Sequence, residues 1–211
     1  MAQMGFLINS AQCSGCKACE LACKDIHNFE IGPRARRVRE VCGGGWSVDE
    51  KTGVCHPSGV FTYSVSYSCG HCDNPACVAV CPTGAHAKDE ETGLVTIDQE
   101  QCIGCKSCIS ACPYEGVRTL VSDEPEWFQD VAVGEFDAPA HPGNTVEKCT
   151  FCRNLTSRGE VPACMQLCPG RARFWGDLDD PESDVSKLIA SRDTMRLSED
   201  AGTSPSVYYL V

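Results

Sequence analysis

Three things are scarce or missing in this sequence. The opening, Met1-Ala-Gln-Met-Gly-Phe-Leu-Ile-Asn9, has no basic stretch and no apolar run of signal-peptide length, so no export signal of its own is expected. No apolar run approaches the ~20 residues that span a bilayer, so no transmembrane segment is expected either. Positive charge is short: 18 Lys and Arg stand against 29 Asp and Glu, a formal net charge of −11. That balance argues against a nucleic-acid partner, because such a surface repels phosphate backbones.

Cysteine is in excess, at 18 in 211 residues. Disulfides, zinc and iron–sulfur clusters compete to explain it. Disulfide scaffolds are typically short secreted chains, and this chain is longer, with no export signal expected. Zinc accounts for C-x2-C pairs grouped in fours, but not for third cysteines at the same spacing or for a repeated Cys-Pro ending. The stretch Cys102-Ile-Gly-Cys105-Lys-Ser-Cys108-Ile-Ser-Ala-Cys112-Pro113 reads C-x2-C-x2-C-x3-C-P. In that pattern three close thiolates serve one 4Fe–4S cluster and the fourth reaches another. Pro113 fixes φ, withholds a donor and turns the chain.

Three related runs flank it. The first is Cys13, Cys16, Cys19 and Cys23, with Lys24 where a proline would stand. The second is Cys69, Cys72, Cys77 and Cys81-Pro82, and the fourth is Cys149, Cys152, Cys164 and Cys168-Pro169. His71 lies inside the second run; with four thiolates present it reads as a hydrogen-bonding neighbour rather than a ligand. Runs one and three share Gly-Cys-Lys-x-Cys, and runs two and four share Pro-Ala-Cys-x3-Cys-Pro. The chain therefore reads as a duplicated two-cluster unit. The short spacer between Cys81 and Cys102 pairs runs two and three, which leaves one with four. Cross-ligation then gives four 4Fe–4S clusters: Cys13, Cys16, Cys19 and Cys168 (set I); Cys23, Cys149, Cys152 and Cys164 (set II); Cys69, Cys72, Cys77 and Cys112 (set III); Cys81, Cys102, Cys105 and Cys108 (set IV). A rival arrangement, in which each run closes its own cluster, uses the same sixteen cysteines.

The expected fold class is α+β: two ferredoxin-like (double βαβ) units, one inserted in the other, with long loops. The outer unit is expected at 1–40 plus 141–190 and the inserted unit at 60–121. Connecting loops at 41–59 and 122–140 and an extended tail at 191–211 complete the chain. Residues 4–9, Phe61–Tyr67 and Leu94–Ile97 read as strands. Asp184–Ala190 reads as a helix capped by Ser183. Gly43-Gly44-Gly45 marks a turn or a close-packing point. Cys42 and Cys55 fall outside every run and read as free cysteines, a local disulfide being the alternative. The basic segment Arg34, Arg36, Arg37 and Arg39 reads as a solvated face, a contact with a partner subunit or a counter-charge to a cluster being the alternative. Lys17, Lys24, Lys106, Lys148 and Arg153 adjoin ligands; each either raises a cluster potential or simply faces water. Trp127-Phe128, in the irregular acidic loop, reads as self-packing, an anchor to a partner being the alternative.

These motifs, with Gly43–Trp46, Pro162–Asp177 and Pro205-Ser-Val-Tyr-Tyr-Leu210, resemble the iron–sulfur electron-transfer (B) subunits of the molybdopterin oxidoreductases, dimethyl sulfoxide reductase type. The resemblance implies a non-catalytic relay to or from a molybdopterin-dependent catalytic subunit, in a dimethyl sulfoxide reductase-like or dehydroxylase complex. Set I would face that subunit, and set IV a quinol-oxidising membrane subunit. It also implies anaerobic respiration, in the cytoplasm or at a membrane after export, folded, with a signal-bearing partner. A free-standing soluble polyferredoxin carrier is the alternative. Catalysis by the chain itself is not expected: sixteen cysteines for sixteen irons leave no open iron.

Overall fold

The structure, a computed structural model, describes residues 2–126 and 141–211. Along the chain it forms β1 (Met4–Asn9), α1 (Ala18–Ile26), β2 (Arg36–Val48), β3 (Cys55–Ser68), α2 (Ala76–Ala79), β4 (His86–Lys88), β5 (Val95–Ile97), α3 (Ser107–Ser110), β6 (Arg118–Leu120) and β7 (Val146–Lys148). It continues with α4 (Arg153–Thr156), α5 (Ala163–Gln166), β8 (Arg173–Asp177), α6 (Asp184–Ser191), β9 (Thr194–Met195) and β10 (Val207–Leu210). The class is mixed α/β with small sheets. Among the described residues no helix is long and apolar enough to cross a membrane. Trp127-Phe128 and most of the acidic loop lie outside the described residues.

The largest sheet is ordered β8-β1-β10-β9. Its centre is apolar: Phe6, Leu7 and Ile8 of β1 are each at most 2% exposed, and full burial of such a side chain stabilises by ~1.5–3 kcal/mol. The end of the tail is β10, which lies parallel to β1 with Phe6 opposite Val207. β8 returns antiparallel on the other edge. α6 forms where expected, and Ser183 Oγ accepts from the Ser186 N–H at 3.1 Å, satisfying an orphan donor of its first turn.

Two helix pairs gather the runs: α1 packs on α5, and α2 on α3. β4 and β5 form the short hairpin between the second and third runs. β6 pairs with β7, so a strand after the third run is bonded to one before the fourth. That pairing crosses the boundary expected between the inserted and outer units.

Two sequence expectations need correction. Residues 41–59 are not a connecting loop; most of them form the outer half of a long β2–β3 hairpin, whose turn lies at 49–54. Gly43 to Gly45 is accordingly a β-bulge within that hairpin rather than a turn. Close packing does apply there: a Cβ on Gly44 would lie 2.4 Å from the Gly59 carbonyl oxygen. The base of the hairpin packs on the first run, where Ser66 Oγ sits 3.4 Å from Cys19 Sγ.

Candidate functional site

The four runs share one backbone device. The residue just before the second cysteine has positive φ in every case: Gly15 (69°), His71 (41°), Gly104 (65°) and Phe151 (54°). A left-handed residue there reverses the chain within one step, so closely spaced cysteines converge instead of alternating. Lys17 and Lys106 repeat the conformation at 62° and 65° and open α1 and α3. The third cysteine of each run lies on a short helix.

The structure brings the cysteines together by set. Cys13, Cys16, Cys19 and Cys168 line one small cavity. Cys69, Cys72, Cys77 and Cys112 line another, and Cys81, Cys102, Cys105 and Cys108 a third. The remaining four, Cys23, Cys149, Cys152 and Cys164, are all buried. Burial pushes the Cys23 thiol well above its ordinary value, and Cys149, Cys152 and Cys164 push it the same way. In sets I, III and IV the sulfurs surround a gap rather than a point, and among the described residues no group of three or more ligand side chains closes on a single metal ion. A multi-atom inorganic cluster suits that geometry better than zinc, whose four sulfurs each sit at ~2.3 Å from one centre.

The sets adjoin one another in turn. Arg173 links I to II, with Nη2 3.9 Å from Cys19 Sγ and Nη1 4.0 Å from Cys164 Sγ. His71 links II to III: it lies between Cys69 and Cys72, and its Nε2 donates to the Cys149 carbonyl at 2.8 Å. Cys77 and Cys108 share one buried cluster, which joins III to IV. Cys16 and Cys105, in the two end sets, are exposed.

The surroundings are cationic. Arg36 is 1% exposed, and its Nε, Nη1 and Nη2 have no hydrogen-bond partner. Arg118 donates to Cys77 Sγ at 2.8 Å and leaves Nε and Nη1 unpartnered. Lys148, 4% exposed, donates to the carbonyls of Val95 and Cys149. Burial pushes the Cys69 thiol up, but Lys148 and Arg118 outweigh it and hold the thiol below its ordinary value. Buried charges without counter-charge are costly, and thiolate-ligated iron–sulfur clusters are anionic groups that would neutralise these. The donor set, the gaps and the unpartnered guanidiniums together fit 4Fe–4S clusters.

Sequence reasoning missed Arg118, Arg173 and His27, whose Nε2 lies 3.4 Å from Cys152 Sγ. The favoured reading of Arg36 as part of a solvated face is wrong, since Arg36 is buried; the alternative, a counter-charge to a cluster, suits its position. One signal existed: Arg118 and Arg173 each open the strand that follows a Cys-Pro. Of the flagged cations, Lys148 is buried, whereas Lys17, Lys106 and Arg153 are exposed.

Comparison with known proteins agrees with this site. Two family models, each described as a 4Fe-4S dicluster domain, match residues 60–124 and 94–169. A Halobacterium salinarum protein named as an iron-sulfur subunit of a dimethyl sulfoxide reductase is 41% identical, covering 100% of this chain and 79% of its own length. The arsenate respiratory reductase iron-sulfur subunit ArrB of Shewanella is 36% identical, over 99% of this chain and 96% of its own. A component of the anaerobic dimethyl sulfoxide reductase of Escherichia coli is 39% identical, over 89% and 80%. The chain belongs to the iron–sulfur subunits of the molybdopterin reductases. It is an electron-transfer subunit with 4Fe–4S clusters, not the catalytic chain. In such a subunit His71 is spoken for: its Nδ1 accepts from the Val95 N–H at 3.0 Å while Nε2 donates, so neither ring nitrogen is free to bind iron.

Proposed function

We propose that this subunit relays electrons through four 4Fe–4S clusters, one in each of sets I to IV, to or from a molybdopterin-dependent catalytic subunit. The observation that carries the reading is the succession of adjoining cysteine groups, with an exposed cysteine in the first and last and buried, unpartnered arginines among them. The proposed ligands are Cys13, Cys16, Cys19 and Cys168; Cys23, Cys149, Cys152 and Cys164; Cys69, Cys72, Cys77 and Cys112; and Cys81, Cys102, Cys105 and Cys108. When bound, the clusters supply one-electron carriers. The chain's own residues hold them, shield set II from water, and set the local charge. In fold terms the reading is two ferredoxin-like units, one inserted in the other; packing of α1 on α5 and of α2 on α3 supports it. Set I would dock on the catalytic subunit. Set IV, at the other end, would meet a quinol-oxidising membrane subunit where the complex has one.

The test is anaerobic purification with iron and acid-labile sulfide assays and a reductive EPR titration. About sixteen irons per chain and co-purification with a larger molybdenum-containing chain are expected. Cys168→Ser should alter the same EPR signal as Cys13→Ser, and Cys23→Ser the same signal as Cys149→Ser. Cys23→Ser acting on the Cys13 signal would favour runs that each close their own cluster. Iron with no second chain would leave a free-standing polyferredoxin.

A further inference from the structure

The strand that follows each cysteine run opens on a buried basic residue: Arg36 in β2, His86 in β4, Arg118 in β6 and Arg173 in β8. All four are at most 6% exposed. Two of them converge on the junction between sets I and II. The Arg36 and Arg173 guanidiniums lie over the ring of Phe6, at 5.7 and 5.8 Å from its centroid. Arg173 spans the junction, with one nitrogen toward Cys19 of set I and another toward Cys164 of set II. It is also held by Ser66 Oγ. Arg36 has no hydrogen-bond partner at any side-chain nitrogen. Neither arginine forms an ion pair with a carboxylate among the described residues. Arginine stays protonated in proteins, so two permanent charges are fixed at a buried junction where, among the described residues, cysteine sulfurs are the neighbours that can carry negative charge.

We propose that Arg36 and Arg173 are the shared counter-charge of the set I and set II clusters, raising both reduction potentials together. The inference rests on the ligand sets proposed above. Its physics is direct: a cation favours whichever redox state is more negative, low dielectric magnifies the effect, and net charge is one of the terms that set cluster potentials. Loss of one guanidinium should therefore move two signals, not one.

The experiment is an EPR-monitored redox titration of the purified complex carrying Arg36→Gln, Arg36→Lys, Arg173→Gln or, as control, the exposed Arg39→Gln. Signals I and II are assigned first with Cys13→Ser and Cys149→Ser. Arg36→Gln and Arg173→Gln should each shift signals I and II toward the oxidised form, by tenfold in the oxidised-to-reduced ratio at fixed poise, or about 59 mV for one electron. Arg36→Lys should keep both signals close to their unmodified potentials, and Arg39→Gln should leave them unshifted. A shift in only one signal, no shift, or equal shifts for Gln and Lys would overturn the inference. If Arg36→Gln loses iron, retention of iron in Arg36→Lys supports a charge role, and equal loss in both overturns it. Fewer than about sixteen irons in the unmodified chain would instead count against the ligand sets themselves.

Discussion

The imidazole of His71 lies 3.8 Å from the phenyl ring of Phe151, centroid to centroid. The two residues hold the same place in runs two and four, just before the second cysteine, and both are left-handed. Runs one and three put glycine there. The internal repeat is thus kept in the backbone even where the side chains differ. In the half with rings, the rings pack on each other across the junction of sets II and III. Burial first, then Lys148, holds His71 well below its ordinary pKa, so the ring is neutral. His71→Ala should leave the Val95 N–H and the Cys149 carbonyl unpaired, at ~1–3 kcal/mol each. A lower thermal midpoint with iron content unchanged is expected by circular dichroism and iron assay. Loss of a cluster with stability unchanged would mean that His71 is a ligand after all.

Gly15 and Gly104 differ in what stands over them. A Cβ at Gly104 would meet the backbone carbonyl oxygen of Asn144 at 2.2 Å, whereas one at Gly15 would meet Ser64 Oγ at 2.4 Å. Both also face the ~1–2 kcal/mol cost of a left-handed non-glycine residue. The Ser64 hydroxyl can rotate away or be deleted; the Asn144 carbonyl, in the segment leading into β7, cannot. Gly104→Ala should therefore lower the thermal midpoint more than Gly15→Ala does. Adding Ser64→Ala should recover part of the Gly15→Ala loss. Equal losses without recovery would mean that the backbone conformation alone sets the cost.

That cysteines from different runs would gather round common cavities was legible, because thiolate spacing is a local code and the short spacer after Cys81 limits which runs can meet. β1 was legible from its apolar run, and α6 from Ser183 and the spacing of Val185, Leu188 and Ile189. Arg36 was not. It sits among three other arginines, and only pairing with β3 decides which of them turns inward: Arg36 is opposite Ser68 and buried, while Arg39 is exposed. The hairpin was hidden for the opposite reason. Both faces of its outer half meet solvent, with Trp46, Val60 and Phe61 at least half exposed, so no alternation marks it as a strand. The β6–β7 pair is made of three-residue strands far apart in sequence, too short for any periodicity.

His141 supplies a pH dependence. Its Nδ1 meets Glu147 and its Nε2 donates to the His27 carbonyl at 2.6 Å, so both nitrogens face acceptors. Burial works against the charged ring, but Glu147 outweighs it and the pKa is raised above the ordinary 6.5. The folded-state pKa therefore exceeds the unfolded one. The contribution is fully present below pH ~6.5 and is lost as pH rises through the raised value. Thermal midpoints should fall from pH 6 toward pH 8.5, and less steeply in His141→Gln. Parallel slopes in the two proteins would assign the fall to other groups.

Cys42 and Cys55 are the two cysteines outside the sets, and the hairpin register separates them. Cys42 pairs with Thr62 and Cys55 with Val48. Six residues of strand then lie between the two positions, or ~20 Å, whereas a disulfide needs Cα atoms within ~7 Å. The local disulfide considered from sequence is therefore excluded within one chain. Both thiols are exposed, while the remaining sixteen would be held by iron. Alkylation of the intact protein under anaerobic conditions should add two labels, at these residues, by peptide mass analysis. The Cys42→Ser, Cys55→Ser double variant should take none and keep its full iron. Additional labels would locate cysteines that do not hold iron, and loss of iron in the double variant would bring the hairpin into a cluster site.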